Sequence, residues 1–135
     1  MKDRIVVYPI VISYEEDGTD VPYLVAIPAL DGMTQGKSVA DSIQMARDFI
    51  GLKAITLLAD DEELPEMPKK LPTTTNKDDI VTLVDVNVDE YRRKHDNRVI
   101  KKTLTIPNYL NEAGIEAGIN FSQVLAESLK EKLEA

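Results

Sequence analysis

The last forty residues set the tightest limit on what this chain can become. Residues 98–107 alternate, with Ile100, Lys102, Leu104 and Ile106 on one face and Lys101, Thr103 and Thr105 on the other, as the two-residue period of a strand requires. Pro107 ends that strand and suits the opening of a helix. Leu110, Ala113 and Ala117 follow at helical spacing, and Gly118 closes the helix. Asn120 is placed to cap a second helix, and Gln123 three residues on makes a capping-box-like pair with it. Val124, Leu125, Leu129 and Leu133 line one side of that helix, with Glu127, Lys130 and Glu131 turned to water. Units below about 40 residues rarely fold alone, and a single strand leaves both backbone edges unpaired.

A two-fold dimer answers both problems. The strands pair antiparallel, the four helices pack beneath them, and Ile100, Leu104 and Ile106 enter a shared core. The outer face of the ribbon then carries Lys101, Thr103 and Thr105 from each chain, groups able to read base edges in the major groove. Behind the Asn120 cap, the backbone N–H groups at Phe121 and Ser122 are suited to hold a DNA phosphate. Residues 98–135 therefore resemble a ribbon-helix-helix DNA-binding and dimerisation domain. The plainer alternative is a solvated amphipathic strand with two core helices.

A net charge of −8 argues against nucleic acid only until its distribution is read. Residues 1–87 hold 8 Lys and Arg against 16 Asp and Glu, while residues 88–135 hold 8 of each. Within residues 91–102 six cations (Arg92, Arg93, Lys94, Arg98, Lys101 and Lys102) face one acid, Asp96. An acidic first part and a basic stripe leading into the ribbon imply two separate tasks. The chain has no cysteine, so disulfides and thiolate metal sites are excluded and a reducing cytoplasm is expected. The apolar start at residues 5–12 is too short for a signal peptide, and no stretch reaches the ~20 apolar residues of a membrane span.

Residues 4–14 are rich in β-formers on both faces, and Pro9, which cannot donate to a ladder, predicts a place near a sheet edge or at a bulge. Residues 15–18 turn the chain and residues 23–27 return it as a hairpin; residues 33–35 make a short third strand. Ser38, with Asp41 three residues on, opens a long helix whose inner face carries Ile43, Ala46, Ile50 and Leu57, with Phe49 beside them, and which ends near Ala59. Gly51 weakens its middle slightly. Pro65, Pro68 and Pro72 keep residues 64–77 extended, and residues 80–86 form one more strand. The expected fold class is α+β: β-β-β-α-β over residues 1–87, a hinge over 88–97 with a turn of helix at 89–94, then β-α-α over 98–135.

A β-β-β-α-β module containing Pro28-Ala-Leu-Asp-Gly-Met-Thr-Gln-Gly-Lys-Ser38, followed by Leu104-Thr-Ile-Pro-x-x-Leu110 and Gly118-Ile-Asn-Phe-Ser-Gln-Val-Leu125, is similar to HicB-type antitoxins over almost the whole chain. Ala29 and Asp31 stand where that family often has Asp and Pro. The resemblance implies a partial RNase H-like N-terminal domain that clamps a small mRNA-cleaving HicA-type toxin. It also implies a C-terminal domain that represses the shared operon by binding operator double-stranded DNA; some members carry a helix-turn-helix there, so the ribbon and its homodimer rest on the residues above, with pairing to higher order left open.

No catalytic residue, metal site or cofactor is expected. Asp31, Asp41, Asp48 and Asp85 fall into no recognisable metal spacing, and residues 60–63 read as solvated acids at a helix end. His95 stands alone among charged residues without an obvious nucleophile partner. Two other classes stay open. One is a free-standing ribbon-helix-helix regulator with an effector-binding N-terminal domain, the other a nuclease of RNase H type. Acid in the first 87 residues would steer them to the basic face of an RNA-cutting partner, or would simply keep the protein soluble.

Overall fold

The computed structural model describes residues 2–16 and 18–134 and separates into two compact units, Met1–Asn97 and Arg98–Ala135. Met1, Asp17 and Ala135 lie outside the described residues, and with Asp17 so does part of the turn expected over residues 15–18. The first unit is a mixed α+β structure. It runs β1 (Ile5–Tyr14), β2 (Tyr23–Ile27), a 3-10 turn (Pro28–Leu30), β3 (Gly32–Gly36), α1 (Val39–Ala59), β4 (Ile80–Asn87) and α2 (Val88–Lys94). The four strands form one antiparallel sheet in the order β3-β2-β1-β4.

Alternation sorts the sheet into two faces. Tyr8, Ile10 and Ile12 of β1 lie across from Val84, Thr82 and Ile80 of β4, and Ile12 lies across from Val25 of β2. Directly opposed residues share a face, and this one is covered by α1. Tyr8, Ile10, Ile12, Val25, Ile27, Val84 and Val86 pack there with Ala46 and Ile50 of the helix. Each large apolar side chain buried in this way contributes about 1.5–3 kcal/mol. The Tyr8 hydroxyl keeps a partner at the core margin by donating to the Pro65 carbonyl at 2.5 Å.

Pro9 is not at an edge, contrary to the expectation from its missing N–H: β1 is an interior strand. The ladder explains how proline fits. β1 pairs with β4 from Ile5 to Ile12, but with β2 only from Val11 to Tyr14. Along its first half β1 therefore has a neighbour on one side only, and Pro9 lies in that half.

Helix α1 opens as its sequence demands. The Ser38 Oγ accepts from the Asp41 N–H at 3.0 Å, and the Asp41 carboxylate accepts from the Lys37 N–H at 2.8 Å. Its inward face is made of small residues, Ser42, Ala46, Gly51 and Ala54, around Ile50. Gly51 does more than weaken the helix. A Cβ there would stand 2.6 Å from the Tyr91 ring of α2, so glycine is what lets the two helices approach.

The hinge expected over residues 88–97 is for most of its length this second helix. Val88 is fully buried, Asn87 caps the helix by accepting from the Glu90 N–H at 3.0 Å, and Tyr91 packs against the core. Nor does its run of cations lead freely onward. Arg92 pairs with Asp89 at 2.6 Å, Arg93 with Asp3 at 2.9 Å and Lys94 with Glu90 at 2.7 Å. The Arg93 and Asn87 hydrogen bonds hold the Asp3 carboxyl below its ordinary value, and the Arg4 N–H, with Arg92 beside it, does the same for Asp89.

The second unit contains α3 (Asn108–Glu116) and α4 (Phe121–Glu134). The strand expected over residues 98–106 is not formed in the single chain: the segment pairs with no strand of the sheet. Between the helices Gly118 takes φ 70°, the left-handed conformation; its N–H donates to Ile115 O and that of Ile119 to Gly114 O, both at 3.0 Å. That is a Schellman ending. Asn120 caps α4 by accepting from the Gln123 N–H at 3.1 Å. The capping box is only half made, since the Gln123 amide donates to Glu127 at 3.1 Å instead of turning back.

Gly51→Ala should destabilise the fold by about 1–3 kcal/mol, through overpacking against Tyr91, although alanine is the better helix former. In a Tyr91→Ala background the same change should stabilise by about 0.5–1 kcal/mol; urea unfolding of the four variants measures both. Asp3 and Asp89 have depressed folded pKa values, so their stabilising contribution is present above the unfolded carboxylate value of about 4 and is lost as pH falls below it. Acid titration of Asp3→Asn should show a shallower loss than wild type over that window.

Candidate functional site

The residues singled out for nucleic acid all lie in the second unit, on a segment without regular structure and at the start of a helix. Residues 98–110 are exposed throughout, so Lys101, Thr103 and Thr105 present their side chains to solvent. Lys102, Leu104 and Ile106 share a shallow groove with Asn111 of α3 and with Phe121, Ser122, Val124, Leu125 and Ser128 of α4. Lys101, Thr103 and Thr105 take no part in lining it. The extended segment thus keeps the alternation of its sequence even without a ladder, one face towards the helices and the other away.

Asn120, Phe121 and Ser122 stand together at the opening of α4. The Asn120 side chain is committed to its cap. The N–H groups of the first helical residues have no intrahelical acceptor, as at any helix start, and they point outward along the axis. Phe121 has a second role that its sequence position hid. Its ring lies over Gly114, where a Cβ would come within 2.5 Å of it, so the α3–α4 angle rests on a glycine in mid-helix. A glycine inside a helical pattern was the one available signal of that close approach.

The apolar positions of this unit are not buried by it. Ile100 is 81% exposed, Leu104 52%, Ile106 50%, Val124 50% and Leu129 51%. Among the described residues of the unit only Gly114 is buried. About 38 residues with no buried side chain have no core of their own, and such a patterned set of half-exposed aliphatics marks an interaction surface.

Elsewhere the acids considered as metal ligands are dispersed. Asp41 caps a helix, Asp85 pairs with Arg47 at 3.3 Å, and Asp31 sits in the turn before β3 with φ 53°. No cluster of three or more His, Cys, Asp or Glu able to hold a metal occurs among the described residues. His95 stacks on the Tyr91 ring at 4.0 Å, with its Nδ1 2.9 Å from the Tyr91 carbonyl oxygen, at the C-terminal end of α2. No helix among the described residues is long and apolar enough to cross a membrane.

No family model matches the chain. Among solved structures, a chain of the toxin–antitoxin complex from Streptococcus pneumoniae is 29% identical with a TM-score of 0.60, covering 96% of this chain and 99% of that one. The antitoxin HicB of Burkholderia pseudomallei is 20% identical with a TM-score of 0.46, covering 95% and 98%. Among curated proteins, an uncharacterized 14.9 kDa protein in the rep-hol intergenic region of Haemophilus phage HP1 is 31% identical over 107 residues, which are 76% of this chain and 74% of that protein. At that identity and coverage, the chain belongs to the family of the 14.9 kDa phage protein.

Proposed function

We propose that this protein is a HicB-type antitoxin: its first unit binds and neutralises a small mRNA-cleaving HicA-type toxin, and its second represses the operon by binding operator DNA as a ribbon-helix-helix dimer. The observation that carries the antitoxin reading is the likeness, at 29% identity and over nearly the full length of both chains, to a chain of a toxin–antitoxin complex. The motifs at residues 28–38 and 104–125 that resemble HicB-type antitoxins support the same reading.

The DNA-binding part is supported by the second unit itself. Pairing residues 98–106 with the same segment of a second chain would supply the missing ladder, and would bring Leu104, Ile106, Val124, Leu125 and Leu129 of both copies into one core. It would leave Lys101, Thr103 and Thr105 on the outer face of the ribbon, where Lys and Thr match base-edge acceptors. The N–H groups of Phe121 and Ser122 would meet a phosphate at the positive end of α4. Such a protein does its work by binding, and this reading assigns it no catalytic step.

Thr103→Ala and Thr105→Ala should each weaken operator binding by about 1–3 kcal/mol while leaving the dimer intact. Unchanged affinity for the operator by both would remove these residues from base reading. Leu104→Ala should cost about 2–5 kcal/mol, enough to shift a small dimer towards monomer in sedimentation. For neutralisation, a fragment of residues 1–97 should rescue cells from the co-expressed toxin without binding DNA. The fragment ending at residue 87 loses the buried Val88 and the Tyr91 contact, and should rescue less well. Rescue by residues 98–135 alone would reverse the assignment.

A further inference from the structure

We propose that Lys102 holds a backbone phosphate of the DNA and thereby ties formation of the ribbon dimer to DNA binding. This rests on the ribbon-helix-helix reading and goes beyond its base-reading residues. Three observations converge. The first is where the charge stands. Alternation puts Lys102 on the apolar face of residues 98–106, between Ile100 and Leu104, while Lys101 lies on the outer face. Lys102 lines the shallow groove over α4 together with Leu104, Ile106, Val124 and Leu125. The aliphatic set that two chains would bury together thus has a lysine in its row.

The second is that the unit supplies this lysine with no anion. Lys102 forms no ion pair among the described residues. The acids of the unit are Glu112, Glu116, Glu127, Glu131 and Glu134, and none of them lines the groove. The polar groups that do line it beside the lysine, Asn111, Ser122 and Ser128, are neutral. An ammonium closed into an apolar interface without a counter-ion is costly. In the single chain Lys102 is exposed and meets no such cost. Pairing two ribbons imposes it on both copies.

The third is which way out is open. A lysine stem can lie along apolar surface while its ammonium reaches the rim. That rim includes Ser122 in the first turn of α4, where unpaired N–H groups also favour an anion. The second copy repeats the same acids outside the same groove, so by two-fold symmetry it brings no carboxylate to the lysine. A phosphate at the start of α4 supplies the missing charge to each copy. The free dimer then carries two unpaired cations at the margin of its core, and DNA relieves them. Dimerisation and DNA binding therefore strengthen each other.

The test uses the full-length chain, with a duplex of the DNA upstream of its own gene and an unrelated duplex of equal length as probes. Lys102→Met should tighten the free dimer in sedimentation, because methionine suits the apolar face. The same variant should raise Kd for both duplexes about tenfold or more, through the loss of a charge-assisted contact in each copy. The slope of log K against log salt should shrink by about 2 for the dimer, about one for each lysine. Lys102→Arg keeps the charge and should restore the slope and most of the affinity. A weaker dimer in Lys102→Met would make the lysine a contact between copies and overturn the proposal. An unchanged salt slope would remove the phosphate contact and overturn it as well. A loss confined to the upstream duplex would make Lys102 a base reader, which also overturns it. A wild-type chain that neither dimerises nor binds either duplex would overturn the ribbon-helix-helix reading and this proposal with it.

Discussion

The first unit depends on how closely α1 can lie against its neighbours. The residues it turns inward are Ser42, Ala46, Gly51 and Ala54, and only Ile50 among the buried ones is large. Bulk is supplied from the sheet instead, by Tyr8, Ile10, Ile12, Val25 and Ile27, so large and small alternate across the interface as close packing requires. The same choice of small residues creates the slot for Tyr91. Because Gly51 offers no Cβ, the aromatic ring of α2 seats directly on the α1 backbone and carries Val88 into the core. Removing that contact would detach α2 and expose the apolar ends of β1 and β4 together.

Charge follows from this packing. With α2 held in place, Arg92, Arg93 and Lys94 are consumed in pairs within the first unit, one of them with an acid 90 residues away in sequence. Each pair is exposed and individually weak. Their joint effect is to give Asp3, Asp89 and Glu90 a cation each. Three of the six cations that form a basic stripe in the sequence thus become part of an acidic domain's internal balance.

The second unit shows the opposite economy. Its local structure is fully specified: the Schellman turn at Gly118, the Asn120 cap and the Phe121–Gly114 contact fix two helices and the angle between them. Its tertiary structure is not completed within one chain, since Leu104, Ile106, Val124 and Leu129 remain half-exposed. Helix ends are stabilised by near neighbours in sequence, whereas a core needs area that so short a segment does not have. That difference is why the helices are formed here while the strand is not.

Taken alone, the sequence determined what near neighbours decide. The long helix opens at Ser38 and ends at Ala59 because capping and periodicity act within one or two turns. The two faces of residues 98–107 were readable for the same reason, since alternation belongs to the extended backbone itself. Tertiary structure decided what distant residues impose on one another. Pro9 lies in an interior strand because β2 stops short of it, a matter of strand length in another segment. Residues 88–94 are a docked helix and no hinge because Gly51, some forty residues earlier, leaves room for Tyr91. Their cations are spent because the fold brings Asp3 beside Arg93. Burial and charge pairing depend on which surfaces meet, and only the folded chain brings those surfaces together.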